Sequence, residues 1–191
     1  MKLYFNPKSR AVIAKWMLDE CGAKYELVPI DFEKKENKTP EFLAINPAGK
    51  LPALVDGGTK IFEGAAIGLY LGDKFPEARL APPVSSADRG RYLSLMVYST
   101  SQLEPAMGDV MLKQATPPSR GWTDFEGVKD VLERELEPGP HLLGEQFTMA
   151  DIMNGSLLLW ARLWGLRTGR PKIEAWLDRI AARPDSMKLG Q

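Results

Sequence analysis

The fold is decided by residues 46–67, which read NPAGKLPALVDGGTKIFEGAAI. Within this stretch, Pro52 falls inside an otherwise strand-like run, 51–55, where a proline cannot donate a ladder hydrogen bond. The chain must therefore bulge, lie at a sheet edge or carry a cis peptide bond at that point. Each solution leaves the backbone N–H and C=O of Leu51 available to another partner. Because the acidic residue Glu63 follows at the start of an apolar helical run, this segment predicts a docking site for a small peptide.

The first ~77 residues alternate strand and helix signals, which indicates a small α/β unit. Strands are predicted over 2–5, 25–30, 51–55 and 60–62, and the last two form a hairpin around an Asp-Gly-Gly-Thr turn. Helices are predicted over 9–21, 40–45 and 65–75. Gly22 is expected to end the first of these helices. The resulting order, β-α-β-α-β-β-α, is that of thioredoxin-like domains.

The remainder of the chain carries helix signals only. Residues 78–85 include a Pro-Pro pair and are predicted to be a linker. The region 86–191 is predicted to be all-α, with helices over 86–107, 123–136 and 172–182 and a further helix that begins near residue 148. Thr123 and Glu126 have the spacing of a capping box at the start of the second of these helices.

A sharper helix start occurs at 147–152, which reads FTMADI. Thr148 and Asp151 have the spacing of a capping box, and Phe147 and Ile152 occupy the positions of a hydrophobic staple. The C-terminal half is therefore predicted to be a helical bundle around the helix that starts here.

These two motifs together resemble the glutathione S-transferase family, and the resemblance covers nearly the whole chain. It implies a thioredoxin-like N-terminal domain over 1–77 that binds glutathione. It also implies an all-α helical-bundle domain over 86–191 that supplies the electrophile pocket and the dimer contacts. The function implied is that of a glutathione transferase, a homodimer that joins the glutathione thiolate to small hydrophobic electrophiles.

The resemblance assigns glutathione contacts to individual residues of this chain. The backbone of Leu51–Pro52 would meet the cysteinyl part of glutathione, and Glu63 would meet its γ-glutamyl ammonium group. Gly64 stands where the family usually has serine or threonine, so only its backbone N–H remains for the γ-glutamyl carboxylate, and weaker affinity is expected. Lys35 and Lys50 are candidates for the glycyl carboxylate, although lysines in loops are often simply solvated.

Ser9 is the predicted catalytic residue, because its hydroxyl lies just before the first helix and can stabilise the thiolate. The alternative is that Ser9 is an ordinary N-cap that accepts from the Val12 N–H. The tyrosine and cysteine of beta-class relatives align with Phe5 and Arg10, so neither chemistry is available there. Tyr4, one residue away, remains a second candidate for thiol activation and for the electrophile pocket.

Other candidates follow from the same resemblance. The electrophile pocket is expected to draw on three apolar side chains of the all-α half: Met107, Met111 and Trp164. Gln102 and Glu104 are expected at the contact between subunits. Cys21 is expected to pack in the protein interior, and His141, the sole histidine, is expected at the surface.

Composition excludes several other classes of protein. Lys+Arg and Asp+Glu balance at 25 each, so no overall charge attracts nucleic acid. With 44% hydrophobic and 26% charged residues, the chain is ordinary for a globular protein, and its apolar stretches are too short for a membrane span. One cysteine cannot form an internal disulfide, so a reducing cytoplasm is the expected location. The sequence contains no metal-ligand spacing and no dinucleotide fingerprint.

Two alternative functions stay open from the sequence. The first is a non-catalytic protein that reuses the transferase fold to bind a partner, as stringent starvation proteins do. The second keeps glutathione but performs another reaction, as an isomerase, dehalogenase or peroxidase. The departure at Gly64 favours the first alternative, whereas the joint presence of Ser9, Lys50, Leu51–Pro52 and Glu63 favours a glutathione transferase.

Overall fold

The computed structural model describes residues 1–187. The chain forms two compact units, Met1–Ala78 and Arg79–Gln191. Most of the predicted linker, 78–85, lies in the second unit. Residues 188–191, the end of the predicted all-α domain, lie outside the described residues.

The first unit is a mixed four-stranded sheet with helices. Its strands lie in the order β2-β1-β3-β4 and are β1 (Lys2–Phe5), β2 (Glu26–Pro29), β3 (Ala53–Asp56) and β4 (Thr59–Phe62). β1 is parallel to β2, whereas β3 is antiparallel to both β1 and β4. The helices are α1 (Ala11–Glu20), α2 (Pro40–Leu43) and α3 (Gly64–Lys74), and short 3-10 turns occur at Glu36–Lys38 and Pro76–Ala78. The predicted β-α-β-α-β-β-α order is confirmed.

Side-chain alternation along the strands gives the sheet two apolar faces. Leu3 lies opposite Leu54 in the ladder, and both are fully buried on the face that α1 and α3 cover. Tyr4 and Ala53 point to the other face, where they pack with Phe42 of α2. The sheet is therefore covered by helices on both sides, as in thioredoxin-like domains.

The position of Pro52 differs from the strand predicted over 51–55. Pairing of β3 begins only at Ala53, and the preceding Leu51–Pro52 peptide bond is cis. β3 lies between β1 and β4, so the proline is not at a sheet edge. Because Pro52 sits just outside the ladder, its missing N–H removes no strand hydrogen bond.

The second unit is helical. Its helices are α4 (Arg89–Tyr98), α5 (Glu104–Met111), α6 (Phe125–Glu135), α7 (Met149–Leu163) and α8 (Pro171–Ala181). A π-helical segment, Ser99–Leu103, joins α4 to α5, where a regular helix was predicted. Pro105 accounts for this difference, because it has no N–H with which to bond the carbonyl of Ser101.

The start of α7 matches its prediction and the start of α6 does not. The Thr148 N–H donates to Asp151 Oδ2 at 2.9 Å, and the Thr148 hydroxyl oxygen accepts from the backbone N–H groups of the first turn of α7. This confirms the capping box. At α6 the predicted box with Thr123 is wrong, because Asp124 is the N-cap and accepts from the Gly127 N–H at 2.8 Å.

Within residues 1–187 no helix combines the length and the apolar character that crossing a membrane requires.

Candidate active site

Four loops leave the sheet of the first unit at one end. Because β1 and β2 are parallel, with Phe5 opposite Pro29, the segments that follow them leave together. Ala53, the first residue of β3, lies opposite both Tyr4 and Phe62, so β3 begins and β4 ends at this same end. The loops carry every glutathione-site candidate of the sequence: Ser9 after β1, Lys35 after β2, Lys50, Leu51 and Pro52 before β3, and Glu63 and Gly64 after β4.

Leu51 presents its backbone at this end of the sheet. Its side chain packs beside Tyr4 against the buried cluster of Ile30, Phe42 and Ala53. Ladder pairing begins only at Ala53, and within residues 1–187 no hydrogen bond outside the ladder ends on the Leu51 N–H or C=O. A strand-like donor and acceptor are therefore open for a ligand, and the apolar side chain anchors them.

Glu63 is held in an unusual backbone conformation. Its φ of 71° and ψ of 125° lie in a region that non-glycine residues rarely occupy, at a typical cost of about 1–3 kcal/mol. The residue is exposed, and its side chain does not cap α3, although its carbonyl accepts from the Ile67 N–H at 3.0 Å. The carboxylate thus stands in solvent beside the positive end of α3, where Gly64 offers an outward N–H.

The Ser9 hydroxyl takes part in a local turn before α1. It donates to the Asn6 carbonyl at 2.7 Å and accepts from the Ala11 N–H at 3.2 Å. The alternative bond from the Val12 N–H to the hydroxyl is not formed, since that N–H donates to the Ser9 carbonyl at 3.3 Å. Ser9 is half-buried. Its proton can reach a thiolate only after rotation about the Cβ–Oγ bond.

Tyr4 lies on the α2 side of the sheet. Its ring meets Phe42 edge to face, with centroids 5.5 Å apart and planes at 69°. The side chain is half-buried and shares the cluster that supports Leu51. Its position near Leu51 keeps it as the second candidate for thiol activation.

The two candidate lysines are exposed. Lys35 has a left-handed φ of 56° and precedes the Glu36–Lys38 turn. In the same loop, hydrogen bonds from the Lys34 and Glu33 amides lower the pKa of Asp31 and favour its carboxylate form. This negative charge lies four residues before Lys35 in the sequence. Lys50 directly precedes Leu51, and its carbonyl accepts from Asn46 Nδ2 at 2.8 Å.

Asn46, which is not among the residues expected from the sequence, supports the loop that precedes Leu51. It is 1% exposed, and its side-chain amide donates to the Lys50 carbonyl on the inner side of the loop that leads to Leu51. The available signal was the Asn-Pro dipeptide, which favours a turn start. That signal predicts a turn but does not indicate that the side chain is buried.

The candidate electrophile residues of the second unit differ in exposure. Met107 is 5% exposed and packs in the core of its unit, whereas Met111 is 46% and Trp164 is 55% exposed. The Trp164 ring stands edge to face with that of Trp160, at 5.5 Å between centroids. Met111 and Trp164 therefore offer apolar surface to a ligand, and Met107 does so to a much smaller extent.

Gln102 and Glu104 lie around the end of the π-helical segment. The Gln102 amide bonds its own chain at both ends, donating to the Gly121 carbonyl at 2.9 Å and accepting from the Thr123 N–H at 3.0 Å. Glu104 opens α5 and is half-buried. Any subunit contact at Gln102 would therefore also involve the 121–123 loop that it holds.

His141 does not lie at the surface, so that expectation is wrong. Its side chain is 12% exposed, and its Nδ1 lies 3.7 Å from Asp151 Oδ1. Asp151 is fully buried and accepts from the Leu142 N–H and from Trp176 Nε1, both at 2.9 Å. Burial lowers the pKa of His141 and raises that of Asp151, and the hydrogen bonds from the Leu142 and Thr148 amides oppose the rise at Asp151.

The described residues contain no group of three or more His, Cys, Asp or Glu side chains arranged to hold a metal ion. Cys21 is buried as expected, and burial raises the pKa of its thiol to about 12. Burial and the raised pKa both disfavour formation of a reactive thiolate at Cys21 near neutral pH.

Comparisons with known proteins agree with this fold. The family models "Glutathione S-transferase, N-terminal domain" and "Glutathione S-transferase, C-terminal domain" match residues 1–73 and 118–179. Glutathione S-transferase 3 of Zea mays is 30% identical over 98% of this chain and 92% of its own length. Glutathione S-transferase GstA of Escherichia coli O157:H7 is 30% identical over 97% of this chain and 94% of its own length.

The structure of a sphingomonad glutathione S-transferase complexed with glutathione matches with a TM-score of 0.78 at 31% identity, covering 97% of this chain and 94% of that chain. The chain therefore belongs to the glutathione S-transferase family. It is a transferase enzyme that combines a thioredoxin-like N-terminal domain with a helical C-terminal domain.

Proposed function

We propose that this protein binds glutathione at the loop end of its sheet and transfers the glutathione thiolate to small hydrophobic electrophiles. The observation that carries the proposal is the convergence of the loops after β1, β2 and β4 with the loop before β3. At this end of the sheet lie the open backbone groups of Leu51, the Glu63 carboxylate at the start of α3 and the Ser9 hydroxyl just before α1.

The open groups match the three parts of glutathione. The Leu51 N–H and C=O bond the cysteinyl backbone as an added strand residue would. The Glu63 carboxylate accepts from the γ-glutamyl ammonium, and the Gly64 N–H donates to the γ-glutamyl carboxylate at the positive end of α3. Lys35 and Lys50 attract the glycyl carboxylate.

Ser9 lowers the pKa of the bound thiol. A free thiol has a pKa of ~8.5, and lowering it by about two units requires roughly 2.7 kcal/mol of preferential stabilisation of the thiolate. A hydrogen bond to a charged group contributes roughly 1.5–3 kcal/mol, and the start of α1 contributes roughly 0.3–1 kcal/mol. One hydroxyl proton redirected from the Asn6 carbonyl is therefore sufficient, with Tyr4 as the alternative donor.

The reaction forms one carbon–sulfur bond. The thiol proton leaves to solvent, and the thiolate attacks an electron-poor carbon. A halide then departs from a halogenated aromatic, or an activated alkene takes up a proton. Tyr4, which packs beside Leu51, is the proposed apolar contact of the electrophile within the first unit. The active form is a homodimer in the cytoplasm, with Gln102 and Glu104 near the partner.

Calorimetric titration with glutathione, combined with a chlorodinitrobenzene conjugation assay, tests this function. We expect heat of binding and conjugation with the native protein, and binding with little conjugation in Ser9→Ala. Ser86→Ala is the matched control, because the Ser86 hydroxyl also accepts from the N–H two residues ahead, at 3.2 Å, just before a helix. Absence of binding in the native protein would refute the proposal.

The hydrogen bond from the Ser9 hydroxyl to the Asn6 carbonyl must break before this proton can reach the thiolate. Equal conjugation by the native protein and by Ser9→Ala would make Tyr4 the candidate donor.

A further inference from the structure

Three successive carbonyls in the loop that leads to Leu51 each accept a hydrogen bond from a different side chain. The bonds run from Lys38 Nζ to the Ala48 carbonyl (3.2 Å), from Asn37 Nδ2 to the Gly49 carbonyl (2.8 Å) and from Asn46 Nδ2 to the Lys50 carbonyl (2.8 Å). Asn37, Lys38 and Asn46 are together called the carbonyl clamp. Loop carbonyls usually face water, so three side-chain donors in a row point to a loop whose conformation is fixed.

Asn46 holds the loop from inside. Its Oδ1 accepts from the Ala48 N–H at 3.0 Å, and its own carbonyl accepts from the Gly49 N–H at 2.9 Å. Because the side chain is 1% exposed, loss of these bonds would leave a buried amide unpaired. The hydrogen bonds of Asn46 thereby fix the turn before Leu51 from its buried side.

Asn37 and Lys38 hold the loop from the opposite side, in direct contact with it. Gly49 has a φ of 62°, and a Cβ at this position would lie 2.8 Å from the Asn37 carbonyl oxygen and 2.5 Å from Lys38 Nζ. No side chain fits between the two segments. The contact therefore depends on glycine and leaves the loop little freedom to move.

The Glu36–Lys38 turn is itself fixed to the end of β2. Glu36 Oε2 accepts from the Asp31 N–H at 2.7 Å, and the Glu36 N–H donates to the Asp31 carbonyl at 3.0 Å. The Thr39 hydroxyl donates to the Glu36 carbonyl at 3.1 Å. These hydrogen bonds fix the turn that holds the loop before Leu51 to the segment just after β2.

We propose that the carbonyl clamp positions the Leu51 backbone for the cysteinyl part of glutathione. This rests on the proposed glutathione site. Asn37, Lys38 and Asn46 are positioning residues and do not contact the reacting sulfur. A ligand that must align two backbone hydrogen bonds binds more tightly when its partner groups are already oriented.

The clamp acts on binding and not on thiol chemistry, so it predicts a split between kinetic parameters. In Asn37→Ala and Lys38→Met we expect the KM for glutathione to rise about three- to tenfold, the equivalent of one lost hydrogen bond. At saturating glutathione, kcat and its pH profile stay unchanged, because Ser9 is untouched. Lys38→Arg retains a donor and is expected to restore the native KM.

Lys60→Met is the matched control for Lys38→Met. Lys60 is exposed and its Nζ also donates to a backbone carbonyl, that of Ala44, at 3.0 Å, but that bond lies outside the clamp. Lys60→Met loses one charge and one lysine–carbonyl bond, as Lys38→Met does, but it should leave the KM for glutathione at its native value. An equal rise in KM in both lysine variants would overturn the proposal.

A truncated ligand separates the clamp from direct contact by Lys38. γ-Glutamylcysteine lacks the glycyl carboxylate, so the clamp predicts that Asn37→Ala and Lys38→Met weaken its binding as much as that of glutathione. If only glutathione were weakened in Lys38→Met, the lysine would be a glycyl contact and the clamp role would be refuted for it. Native affinity in Asn37→Ala, with the native protein binding glutathione, would refute the clamp alone. Failure of the native protein to bind would refute the glutathione site itself.

Discussion

Glu63→Gly is predicted to change stability and glutathione binding in opposite directions. The φ of 71° costs a non-glycine residue about 1–3 kcal/mol. Glycine removes that cost but loses about 0.5–1 kcal/mol of chain entropy on folding, for a net gain of about 1 kcal/mol. For a chain of this length the melting temperature should rise by about 2–4 °C.

The same substitution removes the carboxylate that meets the γ-glutamyl ammonium. A hydrogen bond between charged groups contributes about 1.5–3 kcal/mol, but Glu63 is exposed, so solvent screening reduces its contribution. We expect affinity for glutathione to fall about tenfold. Thermal unfolding followed by circular dichroism and calorimetric titration measure the two effects separately.

Two controls assign the effects to their causes. Glu63→Gln keeps the backbone conformation and loses the charge, so it should weaken binding without raising the melting temperature. Lys113 has a φ of 54° in the second unit, and Lys113→Gly should raise stability without changing glutathione affinity. A lower melting temperature in Glu63→Gly would refute the strain argument, and native affinity would refute the role of the carboxylate.

Three further predictions concern the interior. In Gly155→Ala the added Cβ would overlap Ile180 Cδ1, so we expect the free energy of unfolding to fall by about 1–3 kcal/mol. The double variant with Ile180→Val should recover this loss. An unchanged free energy of unfolding in Gly155→Ala would contradict the close packing of α7 against α8. Burial lowers the pKa of His141 below its ordinary 6.5, so the unfolded chain binds that proton first. Stability should therefore fall as the pH drops below 6.5. In His141→Gln, denaturant titrations should lose this pH dependence, and an unchanged slope would exclude His141 as its source. Because burial raises the pKa of Cys21 to about 12, maleimide should label it only after unfolding, and rapid labelling of the folded protein would contradict that burial.

Local signals predicted the elements whose ends depend on nearby residues. Gly22 ends α1 in a left-handed conformation, with φ at 60°, as its position after the apolar stripe indicated. The capping box of Thr148 and Asp151 depends on residues three apart, and it formed as predicted. In such cases the hydrogen-bonding partners lie within one helical turn, so sequence spacing is sufficient.

The errors arose where distant residues decide the outcome. At α6 the cap is Asp124, and the Thr123 N–H instead donates to the side chain of Gln102, which is distant in sequence. His141 is largely buried and lies beside Asp151, ten residues further along the chain, and no local pattern reports that contact. The buried side chain of Asn46 likewise depends on a loop that closes over it.

The roles of the candidate site residues stay predictions. Leu51, Glu63 and Ser9 were chosen as candidates from local features and from the family resemblance, but their position at one end of the sheet depends on strand order and register. The Ser9 hydroxyl bond to Asn6 also required the structure. Which of Ser9 and Tyr4 activates the thiol stays a prediction.

The most direct test is the pKa of the glutathione thiol bound to the native protein and to Ser9→Ala, measured from thiolate absorbance against pH. The bound thiol should titrate about two units below the free value of ~8.5, and Ser9→Ala should return it towards that value while Ser86→Ala leaves it lowered. Bound glutathione that titrates at the free value would contradict thiolate stabilisation by this site. An equally lowered thiol pKa in Ser9→Ala would show that a group other than Ser9 stabilises the thiolate.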